Sequence, residues 1–209
     1  MRTVIFDLDG TLVDTKEDIT ASINHIRAEC YSLPPLESRK IVELMNTPGL
    51  NLAYEFYGVE IYEEHVKAMF EEHYAKQCLQ NAKLFEDIDE VLKRLKSEEI
   101  KLFVATNAPT KTSRIILKNN DIEHFFEDVV GADRVVNPKP HPEMLQMIVG
   151  KRKKDLCWMV GDSMKDMIAA KSAGVQGILA GWGFDICTVY EKEIDFRVGE
   201  PMELLNVIY

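Results

Sequence analysis

The chain is short of basic residues and has no long apolar run. Its 209 residues include 25 Lys and Arg against 35 Asp and Glu, so the formal net charge is -10. Proteins that bind a nucleic-acid backbone usually present a basic face, so this charge argues against a nucleic-acid partner. No apolar run is long enough to cross a bilayer, and we predict no membrane partner. A small anion can still bind where positive charge is local.

Cysteine is also scarce. The four cysteines, Cys30, Cys78, Cys157 and Cys187, are widely spaced and form no C-x-x-C pair. This spacing predicts neither a zinc site nor a disulfide framework, and it favours reduced thiols. The first residues show no charged region followed by an apolar helix and a cleavage site, so we expect no secretory signal and a cytoplasmic protein.

Strand and helix patterns alternate along the second half of the chain. Strands separated by helices predict right-handed crossovers and a mostly parallel sheet that is covered on both faces. We therefore predict an α/β fold, a doubly wound, Rossmann-like parallel sheet. The predicted strands are residues 3–6, 101–105, 128–131, 156–160, 175–180 and 196–198, and the predicted helices between and after them include 112–119, 142–149, 165–173 and a last one from 201.

An all-helical segment interrupts this rhythm after the first strand. Residues 16–80 contain a helix broken by Pro34-Pro35, then helices over 36–45, 52–57 and 63–79. About 65 residues alone would bury only ~60% of their unfolded surface, so this segment should lean on another domain. We predict a helical cap (16–80) inserted into an α/β core (1–15 and 81–209), with hinges at 14–15 and 81–82.

The fourth helix of the cap carries an apolar stripe. Val66, Met69, Phe70 and Tyr74 recur at helical spacing, and we predict that all four point inward as core residues. The cap holds eleven acids and six bases, so a large polyanion is not an expected ligand there. Arg39, Lys40 and the turn 46–49 are the candidates for cap residues that face the active site.

Two carboxylates follow the first strand directly. Asp7 and Asp9 lie two positions apart, at the end of the apolar run 3–6, and Gly10 ends the strand. On an extended chain an i,i+2 pair points to the same face. Two like charges held this close are unfavourable unless a metal ion or a transferred proton separates their roles. The pair is therefore the first indication of chemistry.

Three further polar clusters follow later strands of the predicted core. They are Thr106-Asn107, Lys139 between two prolines, and the run from Asp162 to Asp166. In a parallel sheet the carboxyl ends of the strands form the crevice where ligands bind, so all four clusters should meet at one edge. A hydroxyl beside free helix N–H groups suits a phosphate, and Thr110 or Thr112 could cap the helix that follows Thr106.

Each cluster also has a structural explanation. Asp and Asn are common turn formers, Asp162 or Ser163 could cap a helix, and Asp166 could complement the helix dipole. Lys139 could be an ordinary surface lysine. Their combination instead favours a hard-metal site beside an oxyanion site, because carboxylates suit Mg²⁺ and a lysine suits an anion. In that interpretation Asp7, Asp162 and Asp166 hold Mg²⁺, Asp7 attacks phosphorus, and Asp9 moves the proton.

Four motifs carry a resemblance to a known family. DLDGTLVDT, the Thr-Asn, the Lys-Pro and GDSMKDMIAAKSAG are similar, in this order, to the motifs of the haloacid dehalogenase-like hydrolase superfamily, over residues 3 to about 184. The helical insertion and Gly181-Trp182-Gly183 resemble its phosphoglycolate phosphatase-like branch. The resemblance implies these roles: Asp7 as nucleophile and Mg²⁺ ligand, Asp9 as acid/base and backbone-carbonyl ligand, Thr106 and Asn107 as phosphate contacts, Lys139 as charge anchor, Asp162 as metal ligand, and Asp166 as metal-associated.

The resemblance implies a Mg²⁺-dependent phosphatase. We expect it to hydrolyse a small phosphorylated metabolite, of the phosphoglycolate or sugar-phosphate type, through an aspartyl phosphate. Asp9 favours this over dehalogenation, because haloacid dehalogenases lack an acid at that position. A phosphomutase, or a pyrophosphatase or nucleotidase on the same core, stays open. A phospho-receiver domain is disfavoured, because its phospho-acceptor does not ordinarily lie on the first strand.

Overall fold

A computed structural model of the chain describes residues 2–184 and 191–209, and Cys187 lies outside them. The strands are β1 (Thr3–Phe6), β2 (Val13–Asp14), β3 (Lys83–Leu84), β4 (Lys101–Ala105), β5 (Phe126–Val130), β6 (Cys157–Gly161), β7 (Gln176–Ala180) and β8 (Phe196–Val198). The helices are α1 (Lys16–Tyr31), α2 (Ser38–Asn46), α3 (Leu52–Tyr57), α4 (Glu64–Asn81), α5 (Ile88–Ser97), α6 (Thr110–Asn119), α7 (Glu143–Val149), α8 (Met164–Ala173) and α9 (Leu204–Ile208). Across these two ranges, none of the helices combines the length and the apolar character that a bilayer crossing requires.

The main sheet has six parallel strands in the order β5-β4-β1-β6-β7-β8. Strand β1 lies in its middle, where Phe6 is in register with Val104 on one side and Val160 on the other. From β1 the chain adds β4 and β5 on one side of the sheet, and it then adds β6, β7 and β8 on the other side. The carboxyl end of β1 is therefore a topological switch point, where a ligand crevice opens. The predicted fold class, a doubly wound parallel sheet, is confirmed.

Both faces of the sheet are covered, which explains why β1 is apolar at every position after its first. Val4 and Phe6 pack in a large cluster that includes Leu92 of α5, whereas Ile5 packs on the opposite face with Met144 of α7. Successive residues of a strand point to opposite faces, so a strand buried on both sides has no polar alternation. This burial fixes the end of β1, and with it Asp7, at the centre of the molecule.

Helices α1 to α4 form the helical insertion, which we define as residues 16–81. Within α4, Val66, Tyr74 and Cys78 are buried, but Met69 is 36% exposed. The buried stripe runs through positions four residues apart, and position 69 lies beside it, about 60° around the helix from Val66 and further from Tyr74 and Cys78. The prediction that Met69 points inward is therefore wrong, and the predictions for Val66 and Tyr74 are confirmed.

A two-stranded antiparallel ribbon connects the insertion to the sheet. Strand β2 pairs with β3, so that Val13 faces Leu84 and Asp14 faces Lys83. Strands this short have no readable periodicity, which is why the sequence did not predict them. The ribbon lies beside both connections that were expected to act as hinges. Asn81 Nδ2 also donates to Asp18 Oδ1 at 3.1 Å, which ties the last residue of α4 to α1.

The turn after β1 depends on a glycine. Leu12 N and Val13 N donate to Leu8 O at 3.0 and 3.1 Å, which folds residues 8–13 into a tight loop. Gly10 has a φ of +80°, and a Cβ placed on it would lie 2.3 Å from Asp162 Oδ2. Any side chain at this position would therefore meet both backbone strain and a direct clash.

We expect Gly10→Ala to destabilise the protein much more than Gly49→Ala does. Gly49 has a similar φ of +83°, but a Cβ placed on it would have nothing within 4 Å, so that variant isolates the backbone strain, about 1–2 kcal/mol. The clash with Asp162 should raise the loss at position 10 to about 3 kcal/mol or more. Urea unfolding of both variants measures the difference, and equal losses would contradict the packing described for this turn.

Candidate active site

The segments that follow β1, β4, β5 and β6 surround one cavity of about 400 Å³. Six of the predicted site residues line it, together with side chains of the helical insertion. These six are Asp7, Asp9, Thr106, Asn107, Lys139 and Asp166. Asp162 is buried next to them. The four polar clusters that are distant in the sequence thus meet at one edge of the sheet.

Three carboxylates converge at this edge. Asp7, Asp162 and Asp166 each place an oxygen within 4.8 Å of the other two. Asp162 and Asp166 are buried, and Asp7 is only partly exposed. Three acids in so small a volume repel one another strongly unless cations lie between them.

Lys139 supplies one of those cations. Its side chain is only 2% exposed, and Nζ lies 2.8 Å from Asp7 Oδ1 and 2.6 Å from Asp166 Oδ1. Although burial opposes it, the carboxylates of Asp166 and Asp7 raise the pKa of Lys139 above its usual value. The lysine is therefore permanently charged, and the interpretation as an ordinary surface lysine is wrong.

One lysine does not neutralise three carboxylates. Burial, and then Asp166, raise the pKa of Asp7 to about 7, even though Lys139 acts in the opposite direction. Burial, followed by repulsion from Asp7 and Asp166, also raises the pKa of Asp162 well above its ordinary value. The cluster of three carboxylates and one lysine has too little positive charge to balance its acids, and a second cation would relieve the repulsion.

The carboxylate oxygens differ in what they can bind. Asp166 uses both of its oxygens, since Oδ1 contacts Lys139 and Oδ2 accepts from Ser163 N and Oγ at 3.2 and 2.7 Å. Asp7 Oδ1 accepts from Leu8 N at 2.7 Å, and Asp162 Oδ2 accepts from Phe184 N at 2.9 Å. Within the described parts of the chain, Asp7 Oδ2 and Asp162 Oδ1 accept no hydrogen bond. These two hard oxygens suit direct binding of a Mg²⁺ ion. Asp166, whose oxygens are both engaged, suits an indirect contact with the metal through a bound water.

Asp9 is held from two sides. Its Oδ1 accepts a hydrogen bond from Thr15 Oγ1 at 2.7 Å and a short one from the hydroxyl of Tyr74, which comes from α4 of the insertion. Burial raises the pKa of Asp9, and both of these hydrogen bonds oppose the increase. Burial, and next the charge of Asp9, raise the pKa of Tyr74, so that its hydroxyl stays a donor.

This function of Tyr74 was not predicted from the sequence. A tyrosine on the buried stripe of a helix looks like core packing, and its ring is indeed buried. A buried tyrosine hydroxyl needs a hydrogen-bond partner, however, and this requirement is the one signal in the sequence for a role beyond packing. The partner, 65 residues away, could not be identified without the fold.

The loop after β4 positions Lys139 as well as facing the cavity. Thr106 is buried, and its Oγ1 accepts from Ala108 N at 3.1 Å. The side-chain amide of Asn107 pairs with the backbone of Lys139, donating to its carbonyl at 2.8 Å and accepting from its N–H at 3.0 Å. Asn107 thus fixes the backbone from which the lysine reaches the carboxylates, a contact that the sequence did not predict.

The helix cap predicted after this loop is wrong. Helix α6 begins at Thr110, and neither Thr110 nor Thr112 caps it. Instead, Asp133 Oδ1 accepts from Thr110 N at 2.6 Å and from Thr110 Oγ1 at 2.8 Å. Burial works against it, but these hydrogen bonds lower the pKa of Asp133. A carboxylate brought from a distant loop therefore occupies the positive end of this helix.

The loop after β7 braces the first motif. Trp182 Nε1 donates to Thr11 O at 3.0 Å, and Phe184 N binds Asp162. The ring of Phe184 lies 6.3 Å from that of Phe85, which precedes α5. The loop thus holds the turn after Asp9 and the carboxylate of Asp162 in one arrangement.

The helical insertion contributes few charges to the cavity. Of the cap candidates, Asn46 lines it, whereas Arg39 and Lys40 do not. Two lysines that were not among the predicted site residues line it as well, Lys67 of α4 and Lys165 of α8. Burial lowers the pKa of Lys165. Lysine positions on helix surfaces are normally solvated, so only the tertiary structure separates these two from the others.

Comparison with known proteins agrees with this geometry. The family described as haloacid dehalogenase-like hydrolase matches residues 4–180. The chain is 31% identical over 216 residues to a phosphoglycolate phosphatase of Mannheimia succiniciproducens, and this alignment covers 97% of this chain and 96% of that protein. It is 35% identical over 191 residues to a phosphoglycolate phosphatase of Caulobacter vibrioides, with 87% and 80% covered.

A solved structure shows the same architecture. The crystal structure of a predicted phosphoglycolate phosphatase from Haemophilus somnus superposes with a TM-score of 0.84 at 26% identity, covering 100% of this chain and 98% of that one. These likenesses confirm the family and the enzyme class, a phosphoric monoester hydrolase, that the sequence motifs predict. The chain therefore belongs to the haloacid dehalogenase-like hydrolase family, in its phosphoglycolate phosphatase-like branch.

Proposed function

We propose that the enzyme is a Mg²⁺-dependent phosphatase that hydrolyses a small phosphomonoester in the cytoplasm through an aspartyl phosphate on Asp7. One observation carries the proposal: buried Lys139 contacts both Asp7 and Asp166, at 2.8 and 2.6 Å, beside a third carboxylate that no lysine of the described residues reaches. A fixed cation next to a nucleophilic acid and a cluster of spare carboxylate oxygens suits phosphoryl transfer.

The first step is attack by the Asp7 carboxylate on phosphorus. The bond from phosphorus to the ester oxygen breaks, and the departing alkoxide takes a proton from Asp9. Lys139, Thr106 and Asn107 hold the transferred group, because a cation and hydrogen-bond donors stabilise its charge. Mg²⁺, held by Asp7, Asp162 and the backbone carbonyl of Asp9 with Asp166 behind it, would supply further neutralisation of phosphate charge when bound.

The second step returns the enzyme to its starting state. Asp9, now ionised, removes a proton from a water molecule, which attacks the phosphorus of the aspartyl phosphate. Inorganic phosphate leaves, and Asp7 is free again. Thr15 and Tyr74 hold Asp9 in one position during both transfers, which supports its assignment as the proton carrier.

The domain division is part of the proposal. Residues 16–80 act as a cap on a core of residues 1–15 and 81–209, with hinges at 14–15 and 81–82. The short ribbon of β2 and β3 at both connections supports this division, since it is the kind of narrow link about which domains move. Opening would admit the substrate, and closing would bring Tyr74 to Asp9 and exclude water.

Replacement of the nucleophile should abolish the reaction. Asp7→Asn is expected to lower kcat by at least about 10³-fold and to leave no acid-stable phosphate label on the protein, because an amide cannot attack phosphorus. Asp155→Asn, an exposed carboxylate outside the site and the hinges, is the matched control and should keep full activity. Phosphate release from phosphoglycolate and sugar phosphates is measured beside isomerised sugar phosphate, whose appearance would indicate a mutase instead. Full turnover by the Asp7 variant would contradict the covalent mechanism.

Removal of one carboxylate from the cluster should separate metal binding from folding. Asp162→Asn is expected to unfold at a higher temperature than the wild type in EDTA at pH 8, because it removes repulsion. Saturating Mg²⁺ should raise the wild-type Tm by about 5 °C or more and leave the variant unchanged. Exposed Asp155→Asn is the control and should respond like the wild type.

The pH dependence of this metal effect has a definite sign. The pKa of Asp7 rises from its ordinary 3.8 to about 7 on folding, so between these values the folded metal-free protein binds more protons than the unfolded chain. The contribution of Asp7 to stability therefore falls as pH rises through that window. Mg²⁺ should accordingly raise Tm more at pH 8 than at pH 5. An equal increase at both values would argue against a metal on these carboxylates.

The hydroxyl of Tyr74 should matter for catalysis. Tyr74→Phe removes one of the two hydrogen bonds that hold Asp9 in position, and we expect kcat to fall about tenfold while the far-ultraviolet spectrum is unchanged. Tyr54→Phe is the matched control, because Tyr54 lies in the same insertion but is 57% exposed. A wild-type kcat in the Tyr74 variant would show that the hydrogen bond to Asp9 serves only to pair the buried hydroxyl and does not contribute to catalysis.

A further inference from the structure

The two sides of the cavity differ in chemistry. The core side carries the carboxylates, Lys139 and Thr106, whereas the opposite side, formed mainly by the insertion, consists largely of aliphatic and aromatic side chains. We call this side the apolar wall and define it by six lining residues. They are Ile23, Met45, Leu52, Phe56, Phe70 and Phe184. The substrate's phosphate belongs at the core side, so its alcohol part must lie against the apolar wall.

Charges near the apolar wall do not favour an acidic alcohol part. The insertion places Lys67 and Glu71 on the cavity, one helical turn apart on the same face of α4, so they add no net positive charge. On the core side Lys139 is already engaged by two carboxylates, and Lys165 lies near the same acids. A substrate carboxylate placed against the six side chains of the apolar wall loses hydration and gains no partner from them, which is unfavourable. The wall therefore disfavours a small phosphorylated acid.

The size of the cavity points the same way. A volume of about 400 Å³ lies in the range of pockets that enclose drug-sized ligands, roughly 300–1,000 Å³, and a two-carbon acid would fill little of it.

We propose that the preferred substrate is a phosphomonoester of an apolar alcohol, about the size of a phenylethyl group, and not phosphoglycolate. The inference rests on the proposed phosphatase function and adds the class of the leaving group. Phe70 provides a flat surface for such a group, because its ring stacks on that of Tyr74 at 5.8 Å and 16°. Contacts between the wall and an apolar group lower the barrier when they are kept in the transition state.

A series of esters with similar leaving-group acidity tests the proposal. We expect kcat/KM for 2-phenylethyl phosphate to exceed that for ethyl phosphate by roughly 10- to 100-fold, since burial of one aromatic ring accounts for such a factor. Phosphoglycolate should be no better than ethyl phosphate. A higher kcat/KM for phosphoglycolate than for 2-phenylethyl phosphate would overturn the inference. No phosphate release from any ester would overturn the phosphatase function itself, so the two failures are distinguishable.

Two variants of the wall connect this preference to its residues. Phe70→Ala should reduce the ratio of kcat/KM between 2-phenylethyl and ethyl phosphate at least about fivefold, whereas Phe70→Leu, which keeps an apolar side chain, should retain most of it. Met69→Ala is the matched control, because Met69 is the next residue on α4 but lies outside the cavity. A ratio that is unchanged in the Phe70→Ala protein, with its Tm intact, would refute the role of the apolar wall.

Discussion

The ion pairs of buried Lys139 are the interaction on which the site depends. Its ammonium lies between Asp7, at the end of the central strand, and Asp166, in the first turn of α8. A charge of this kind is stable inside a protein only with its partners in place, so the three segments that carry the lysine and the two acids must adopt one relative arrangement. The same arrangement brings Asp162 close enough to share a metal ion.

The surrounding contacts serve to hold that arrangement. Asn107 fixes the backbone of Lys139, Ser163 occupies one oxygen of Asp166, and Phe184 holds Asp162. Gly10 leaves room for the Asp162 carboxylate beside the first motif. Most of these contacts join two different loops, so the loss of one displaces more than one catalytic group. The cluster stays short of positive charge all the same, which is the physical reason to expect a metal ion.

The helical insertion completes the site in two ways. Tyr74 reaches across to Asp9, and the apolar wall encloses the space next to the phosphate position. Core and insertion thus divide the work: the core side holds charges suited to phosphoryl transfer, and the insertion side offers shape and apolar surface. In the proposed mechanism the core carries most of the chemistry and the insertion most of the leaving-group contacts, with Tyr74 as the residue of the insertion that also serves the chemistry.

The sequence by itself determined the fold class, the family and the residues of the core motifs. Their signals are local, since the apolar strands, the acids that end them and the helices that follow are all read from neighbouring residues. Only the tertiary structure decided that Asn107 binds the Lys139 backbone, that Asp133 caps α6, that Met69 is exposed and that Tyr74 holds Asp9. These four depend on partners far away in the sequence or on which side of a helix is covered. Such facts have no local signature, because the energy of a contact depends on the packing that brings its two residues together.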